Sequence, residues 1–225
     1  MKIRRIIKDD VPISIFDLCT IGKDHRQSKY VTTTEIKNIY TEYKEDMNSV
    51  HTHDSYFLSW ITSGECTYHL DSSSFIIKPN TIILLRPGEI HQFTDVKDLD
   101  GINFYFSSEV LANMSYNMSV QIEMELFTKN HIIYVSSETT KEMLKACTSH
   151  LCSICKDSFD APFGQEILKL EMLIFLLKLL GSEEVQNSIG TRDINKNSHQ
   201  IYVRFQKMVD EKYQSIRVSS LTFPN

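Results

Sequence analysis

Short apolar and aromatic runs, separated by turn residues at nearly regular spacing, dominate the sequence between residues 30 and 110. The runs that predict strands are Tyr56–Thr62, Cys66–Leu70, Ser74–Lys78, Thr81–Arg86, His91–Thr94 and Gly101–Phe106. The turn-like breaks between them are Ser63–Glu65, Asp71–Ser73, Pro79–Asn80, Arg86–Glu89 and Asp95–Asp100. Many short strands in one stretch predict a β-sandwich or a β-barrel.

A helical period replaces the strand pattern after about residue 135. Apolar residues from Met143 to Cys155 recur at helical spacing and predict one amphipathic helix. Asp160-Ala161-Pro162 breaks the chain, and a second helix is predicted over Phe163–Leu180. This second helix is apolar around most of its circumference, so we expect it to be buried on more than one side.

A second copy of the chain is the simplest cover for the other side of that helix. The residues predicted to form the dimer interface are Ile167, Leu170, Leu173, Ile174 and Leu177. The alternative is that the helix is buried between the strand domain and the first helix.

The C-terminal segment predicts a linker followed by the start of another domain. Residues 181–199 are polar and contain Gly, Asn and Ser, as linkers do. A short amphipathic helix follows, and its apolar face carries Phe205 and Val209. The chain has net charge −5, whereas the part from Arg192 onward holds six basic and three acidic residues, which indicates a different partner for it. Another helix is predicted to begin near Val218 just before the sequence stops, so we expect either that the sequence was cut at this point or that the natural chain continues.

Enzymatic and secreted classes are disfavoured. The sequence contains no Gly-x-Ser-x-Gly motif, no Gly-rich phosphate loop and no His-Glu-x-x-His motif, so we expect no enzyme activity and assign no catalytic residue. Five scattered cysteines without a secretion signal favour a reducing, cytoplasmic location. Cys152 and Cys155 have CxxC spacing but fall late in a predicted helix, so we interpret them as structural.

Three histidines could converge inside the strand domain. His51 and His53 point to the same side of an extended segment, because successive side chains alternate. His91 follows the turn Arg86–Ile90. Neutral imidazoles suit zinc, copper, iron or nickel. The other interpretation is that they are hydrogen-bonded pocket histidines, with His91 holding the turn through a backbone hydrogen bond.

The surrounding residues resemble two known motifs. His51-Thr52-His53 followed by Ser63-Gly64-Glu65, and NTIILLRPGEIHQF at 80–93, resemble the two motifs of the cupin superfamily. That pattern carries a Glu separated from the second His by three or four intervening residues, but Phe57 or Leu58 stands there in this sequence. An oxygenase-like site of two histidines and a carboxylate is therefore not supported.

The whole stretch at 55–106 resembles the barrel of AraC/XylS-type transcription regulators, and the tail at 201–221 resembles the start of their DNA-binding domain. The resemblance implies a mainly β fold with C-terminal helices: a cupin-like double-stranded β-barrel (jelly roll) followed by a helical dimerisation pair. The implied domains are an effector-binding barrel (1–135), a helical dimerisation segment (136–182), a linker (183–199) and a truncated start of a helix-turn-helix DNA-binding domain (200–225).

The implied function is a ligand-responsive bacterial transcription regulator, of which this chain is the effector-binding and dimerisation portion. The partners would be a small polar organic effector such as a sugar, a second copy of the chain, and DNA only through the mostly absent C-terminal domain. Strand parity predicts the ligand-binding residues His51, His53, Phe57, Ser59, Ile61, His91, Phe93, Asn103 and Tyr105. We assign no cofactor and no metal ligand. A cupin metalloenzyme with a three-His metal site remains the alternative.

Overall fold

The computed structural model describes residues 7–8, 11–12, 28, 30–112, 114–157, 161–190 and 208. Its strands are β1 (Ile7–Lys8), β2 (Val11–Pro12), β3 (Val31–Glu35), β4 (Tyr56–Leu70), β5 (Ser73–Ile77), β6 (Thr81–Leu85), β7 (His91–Phe106) and β8 (Ile132–Tyr134). Its α-helices are α1 (Ile36–Glu42), α2 (Lys44–Met47), α3 (Glu109–Ala112), α4 (Tyr116–Ile122), α5 (Glu138–Asp157), α6 (Gly164–Leu180) and α7 (Glu183–Gly190).

Compact units span residues 1–187 and 188–225, and nearly all described residues belong to the first. The predicted start of a DNA-binding domain at 200–225 lies outside the described residues, apart from Met208. The same holds for residues 191–199 of the predicted linker.

One antiparallel sheet organises the strand region. Its order is β3-β7-β4-β6-β8, and β5 pairs with β4 beside this path. β1 and β2 pair separately. The first half of β4 pairs with β6 and its second half with β5, while β7 runs along both halves. The prediction of a β-rich domain followed by helices is confirmed.

The two longest strands correct the predicted strand breaks. Ser63–Glu65 and Asp95–Asp100 do not end strands, because β4 and β7 continue through them. The register between β4 and β7 shifts three times between Ile61 and Thr67, which marks bulges. Gly64 lies here at φ +77°, and a Cβ on it would stand 2.2 Å from the carbonyl oxygen of Asp98. Bulges bend and twist a strand without ending it.

The bulges fold the sheet over its own inner face. On a straight strand Phe57 and Tyr68 would lie about 36 Å apart. Both nevertheless approach one side chain, with ring centroids 6.0 Å and 5.8 Å from that of His91. The two halves of β4 therefore enclose a common interior, in agreement with a small barrel.

The tight turns on either side of β6 have the backbone conformations that their residues favour. Asn80 has φ 65°, which agrees with the expectation that this residue adopts positive φ in place of glycine. Gly88 in the Pro-Gly turn has φ +84°. The Arg86 side chain bonds the Glu89 carboxylate, and that carboxylate also accepts the backbone N–H of Arg86, at 2.9 Å. These contacts fix the entry of β7 and the position of its first residue, His91.

Two of the helices agree with the predicted pair, and α1 to α4 and α7 are additional to it. α5 and α6 occupy the predicted segments. α7 lies in the first residues of the predicted linker, so this part of the segment is helical. The Glu184 carboxylate accepts the N–H groups of Ser136 and Ser137 and the hydroxyl of Thr140. These bonds tie α7 to the N-terminus of α5, where backbone donors otherwise lack partners. None of the described helices is both long and apolar enough to cross a membrane.

The surface of α6 divides into a covered and an uncovered side. Phe175 is fully buried and meets Phe104 of β7 edge to face, with centroids 5.5 Å apart. The buried residues of this side are Leu168, Met172, Phe175, Leu176, Leu179 and Leu180. The opposite side exposes Ile167, Leu170 and Ile174 at 45%, 54% and 42%. The rest of the first compact unit therefore covers α6 on one side only.

Candidate ligand-binding site

Every residue predicted to bind ligand is buried. The exposed fractions of His51, His53, Phe57, Ser59, Ile61, His91, Phe93, Asn103 and Tyr105 all lie between 0% and 4%. Phe57, Ile61, Phe93 and Tyr105 belong to one continuous hydrophobic core. We call the inward-facing side chains of this set, together with Tyr68, the inner cluster.

Strand register brings the members of the inner cluster together. Phe57 pairs with Tyr105, and Ser59 pairs with Asn103, so these side chains share one face of the sheet. His51 and His91 form an isolated antiparallel bridge whose two N–H···O bonds are both 2.9 Å. The bridge joins the segment before β4 to the start of β7.

The rings of the inner cluster are in direct contact. The centroid of the His91 ring lies 4.0 Å from that of His51 and 4.9 Å from that of His53. The His53 ring lies 5.3 Å from each of Phe57 and Tyr105. Three imidazoles therefore pack among phenylalanine and tyrosine rings. The side chain of Phe57 faces the interior, as strand parity predicted.

Tyr68 is the member that sequence reasoning missed. Its ring is fully buried and lies 4.9 Å from Phe93. The inward parity of β4 is odd up to Ile61 and even from Cys66 onward, because the bulges insert extra residues between them. The signal that could have revealed this change is Gly64 in the middle of an otherwise β-prone run.

Burial keeps the imidazoles of His53 and His91 neutral. Loss of hydration, together with the nearby His51, lowers the pKa of His53 and of His91 well below the ordinary range. His91 Nδ1 lies 3.3 Å from the carbonyl oxygen of Glu89, and His51 Nδ1 lies 2.9 Å from that of Ser49. A neutral ring can meet a carbonyl only with a protonated nitrogen, so Nδ1 of His91 donates and its Nε2 carries the lone pair. The expected hydrogen bond from His91 to the turn is present.

Several polar atoms of the inner cluster lack a hydrogen-bond partner among the described residues. They are both ring nitrogens of His53, Nε2 of His91, the Ser59 hydroxyl and the Tyr68 hydroxyl. Burial raises the pKa of Tyr68 well above its ordinary value, so this hydroxyl stays protonated. Buried polar groups in native proteins nearly always have partners, so such a concentration is typical of a functional site.

Comparison with known proteins places the chain in a family. The family described as the AraC-like ligand binding domain matches residues 39–168. No curated protein matches the chain significantly.

Three solved structures show similarity at low identity. The AraC-like transcriptional activator CuxR has 11% identity and TM-score 0.39, with coverage of 66% of this chain and 49% of CuxR. Apo ToxT K231A from Vibrio cholerae has 13% identity and TM-score 0.39, with 85% and 76% coverage. A cupin-like protein from Thermotoga maritima has 15% identity and TM-score 0.24, with 53% and 90% coverage.

The chain thus spans about half of the CuxR chain. The matched family segment begins in α1, contains all of β4 to β8 and α5, and ends in α6, so it includes the whole inner cluster. The chain belongs to the AraC-like ligand binding domain family.

Proposed function

We propose that this chain is the effector-binding and dimerisation portion of a ligand-responsive bacterial transcription regulator that acts in the cytoplasm. The observation that carries the proposal is the inner cluster: nine residues chosen by strand parity are all buried, and they lie in the segment matched by a ligand-binding family. The proposed domains remain the barrel to residue 135, the helical segment 136–182, the linker to 199 and the DNA-binding start at 200–225.

The chemistry of the inner cluster favours a small polar organic effector such as a sugar. Aromatic rings offer apolar faces for a sugar ring, and Ser59, Tyr68 and Asn103 offer hydroxyl and amide groups for hydrogen bonds. A few directional polar groups in an aromatic wall are the usual composition of small-molecule sites.

Effector entry must rearrange the interior, because the inner cluster is packed and almost fully buried. Core packing has few intermediate arrangements, so a displaced ring shifts the elements that rest on the sheet. Phe104 lies on β7 beside the inward-facing Asn103 and Tyr105 and touches Phe175 of α6. A coupling of about 1–3 kcal/mol along this route is enough for regulation.

The uncovered side of α6 is the proposed homodimer interface. Ile167, Leu170, Ile174 and Leu177 follow spacings of three and four residues, the pattern of a helix that pairs with another helix. Leu173 and Leu177 are half-buried, and the other predicted interface residues are exposed. A second copy presents the same stripe, so the two can close an isologous contact.

DNA recognition is proposed for the C-terminal domain that would follow residue 200. The helix-turn-helix units that insert into the major groove would lie mostly beyond Asn225. In this arrangement α7, tied to α5 through Glu184, is the described element nearest in sequence to that domain.

Calorimetric titration of the chain with a panel of monosaccharides and uronic acids tests the effector proposal. We expect at least one member to bind with one site per chain. Asn103→Ala should weaken that affinity about 5- to 100-fold, because a buried polar partner is lost. The control is Asn38→Ala, which removes the same amide from an exposed position on α1. The proposal fails if no polar organic ligand binds, or if both variants bind equally.

The metalloenzyme alternative has less support. Phe57 supplies an apolar wall where the cupin pattern has a carboxylate, so a site for two-His-one-carboxylate chemistry is not formed by these residues.

A further inference from the structure

We propose that a cleft between the helices α1 and α2 and the strand β7 binds a small zwitterion, an α-amino acid with an apolar side chain. We call it the outer cleft, and its lining includes Lys37, Tyr40, Lys44, Asp98, Leu99 and Asp100. Its volume is about 450 Å³, which lies within the usual range of about 300–1,000 Å³ for small-molecule sites. None of its residues belongs to the inner cluster, so this site goes beyond the proposed effector binding and does not depend on it.

The outer cleft carries opposite charges on different elements. Lys37 and Lys44 lie on α1 and α2, whereas Asp98 and Asp100 lie on β7. Among the residues that the structure describes, none forms an ion pair with any of these four side chains. Both ammonium groups and both carboxylates are therefore available to a ligand that brings the opposite charge to each side.

The helices hold the two lysines on a fixed backbone. Ile39 of α1 and Met47 of α2 are buried and belong to the hydrophobic core. The hydroxyl of Tyr40 donates a hydrogen bond to the side-chain oxygen of Asn48, which ties α1 to the residue that follows α2. A ligand must then order only the flexible parts of the lysine side chains, and this keeps the entropic cost of binding low.

The bulges bring three consecutive residues of β7 into the outer cleft. On a regular strand Leu99 would point away from the face that Asp98 and Asp100 share, yet all three line the cleft. Asp98 has φ 47°, and the Asp100 carboxylate accepts the backbone N–H of Gly101 at 2.8 Å. Bulges often lie next to functional sites, where they re-aim side chains. Both carboxylates are thus placed beside an apolar side chain.

The apolar part of the lining narrows the class of ligand. Leu99 is buried, and Tyr40 is half-buried and packs against the same core. Burial raises the pKa of Tyr40 to about 12, so its ring carries a neutral hydroxyl. An inorganic anion would meet the two aspartates, a simple cation would meet the two lysines, and a sugar has no charge to offer either. An α-amino acid offers a carboxylate to the lysines, an ammonium group to the aspartates and an apolar side chain to Tyr40 and Leu99.

Calorimetric titration of the chain with L-leucine, L-methionine and L-phenylalanine tests the proposal. We expect at least one of them to bind with one site per chain. Its N-acetyl derivative lacks the ammonium charge and its amide lacks the carboxylate charge. Each should therefore bind about fivefold more weakly or worse, as expected for the loss of partly exposed ion pairs. The proposal is overturned if none of the three amino acids binds, or if either derivative binds as tightly as its parent amino acid.

Matched variants locate the two charged sides of the outer cleft. Lys44→Met should lower the affinity about two- to fivefold and should narrow the difference between the free amino acid and its amide. Asp98→Asn should do the same for the N-acetyl derivative, and Asn is compatible with the positive φ of this position. The controls are Lys145→Met on α5 and Asp71→Asn in the turn between β4 and β5, both at exposed positions, which should bind as the wild type does. Unchanged preferences in Lys44→Met and Asp98→Asn would refute the assignment.

The variant Asn103→Ala separates this site from the proposed effector site. Asn103 is a buried member of the inner cluster, so its replacement should weaken the binding of a sugar or uronic acid and leave the binding of the amino acid unchanged. Loss of amino-acid binding in Asn103→Ala, together with normal binding in Lys44→Met and Asp98→Asn, would place the amino acid in the interior and overturn a site in the outer cleft. Absence of sugar binding would count against the effector proposal only.

Discussion

The phenyl ring of Phe57 lies 5.3 Å from the imidazole of His53, centroid to centroid, with 32° between the ring planes. Phe57 is 1% exposed and also stands 6.0 Å from His91. An apolar ring therefore packs against two imidazoles in the interior of the sheet. It also removes the carboxylate that a cupin metal site would carry.

Removal of this ring should destabilise the fold. We expect Phe57→Ala to lower the free energy of unfolding by about 3–5 kcal/mol, because a fully buried aromatic side chain leaves a cavity. Urea denaturation measures the loss. Phe75→Ala, at a half-buried position on β5, is the control and should cost less. Equal losses would show that the inner cluster is not the core of the fold.

Dimerisation should depend on the exposed stripe of α6. Leu170→Glu combined with Ile174→Glu places charges on that stripe and should convert a dimer into a folded monomer, as measured by sedimentation equilibrium. The matched control is Ile76→Glu on β5, where an isoleucine is 63% exposed. A double variant that remains dimeric would place the interface elsewhere.

Stability of the chain should fall in mild acid. Burial lowers the pKa of His53 and His91 well below 6.5 in the folded chain. The unfolded chain takes up protons near pH 6.5, so it binds more protons than the folded chain below that value. The contribution of these two neutral histidines to stability is therefore fully present above about pH 6.5. It is lost as the pH falls toward the pKa values of the folded chain.

The change in the free energy of unfolding with pH can be measured by urea denaturation between pH 6.5 and 5. Each buried neutral histidine contributes at most about 1.4 kcal/mol per pH unit, or about 2.7 for the pair. His53→Phe should remove about half of this slope. A stability that does not change with pH over this interval would refute the neutral burial of these rings.

Two glycines with positive φ should differ in their tolerance of alanine. A methyl group on Gly88 would meet only open space, so Gly88→Ala should cost only the backbone strain, about 1–2 kcal/mol. At Gly64 a Cβ would stand 2.2 Å from the carbonyl oxygen of Asp98, so Gly64→Ala should cost distinctly more or prevent folding. Urea midpoints compare the two, and equal midpoints would contradict the bulge at Gly64.

The sequence predicted the interior better than the strand boundaries. Parity placed Phe57, His91 and Tyr105 correctly because side-chain alternation is a local property of extended chain. It failed at Tyr68 because the bulges change the parity, and residues such as Gly64 look the same in a bulge and in a turn. The mostly polar sequence of α7 did not indicate a helix, and the hydrogen bonds of Glu184 that join this helix to the start of α5 could not be predicted from it.

The two sides of α6 were also predicted only in part. The apolar circumference of α6 predicted burial on two sides, and the rest of the first compact unit covers one of them. A single sequence cannot distinguish a side covered within the chain from one covered by a partner, because both need the same apolar residues.

The most direct test of the central claim, that an effector binds within the inner cluster, is nuclear magnetic resonance of the histidine rings. Long-range ¹H–¹⁵N spectra of the chain would be recorded with and without the sugar or uronic acid selected by calorimetry. We predict that the ring nitrogens of His53 and His91 shift on binding, while those of His69 and the largely exposed His150 do not. Shifts confined to His69 or His150, or no shift at saturation, would contradict effector binding in the barrel.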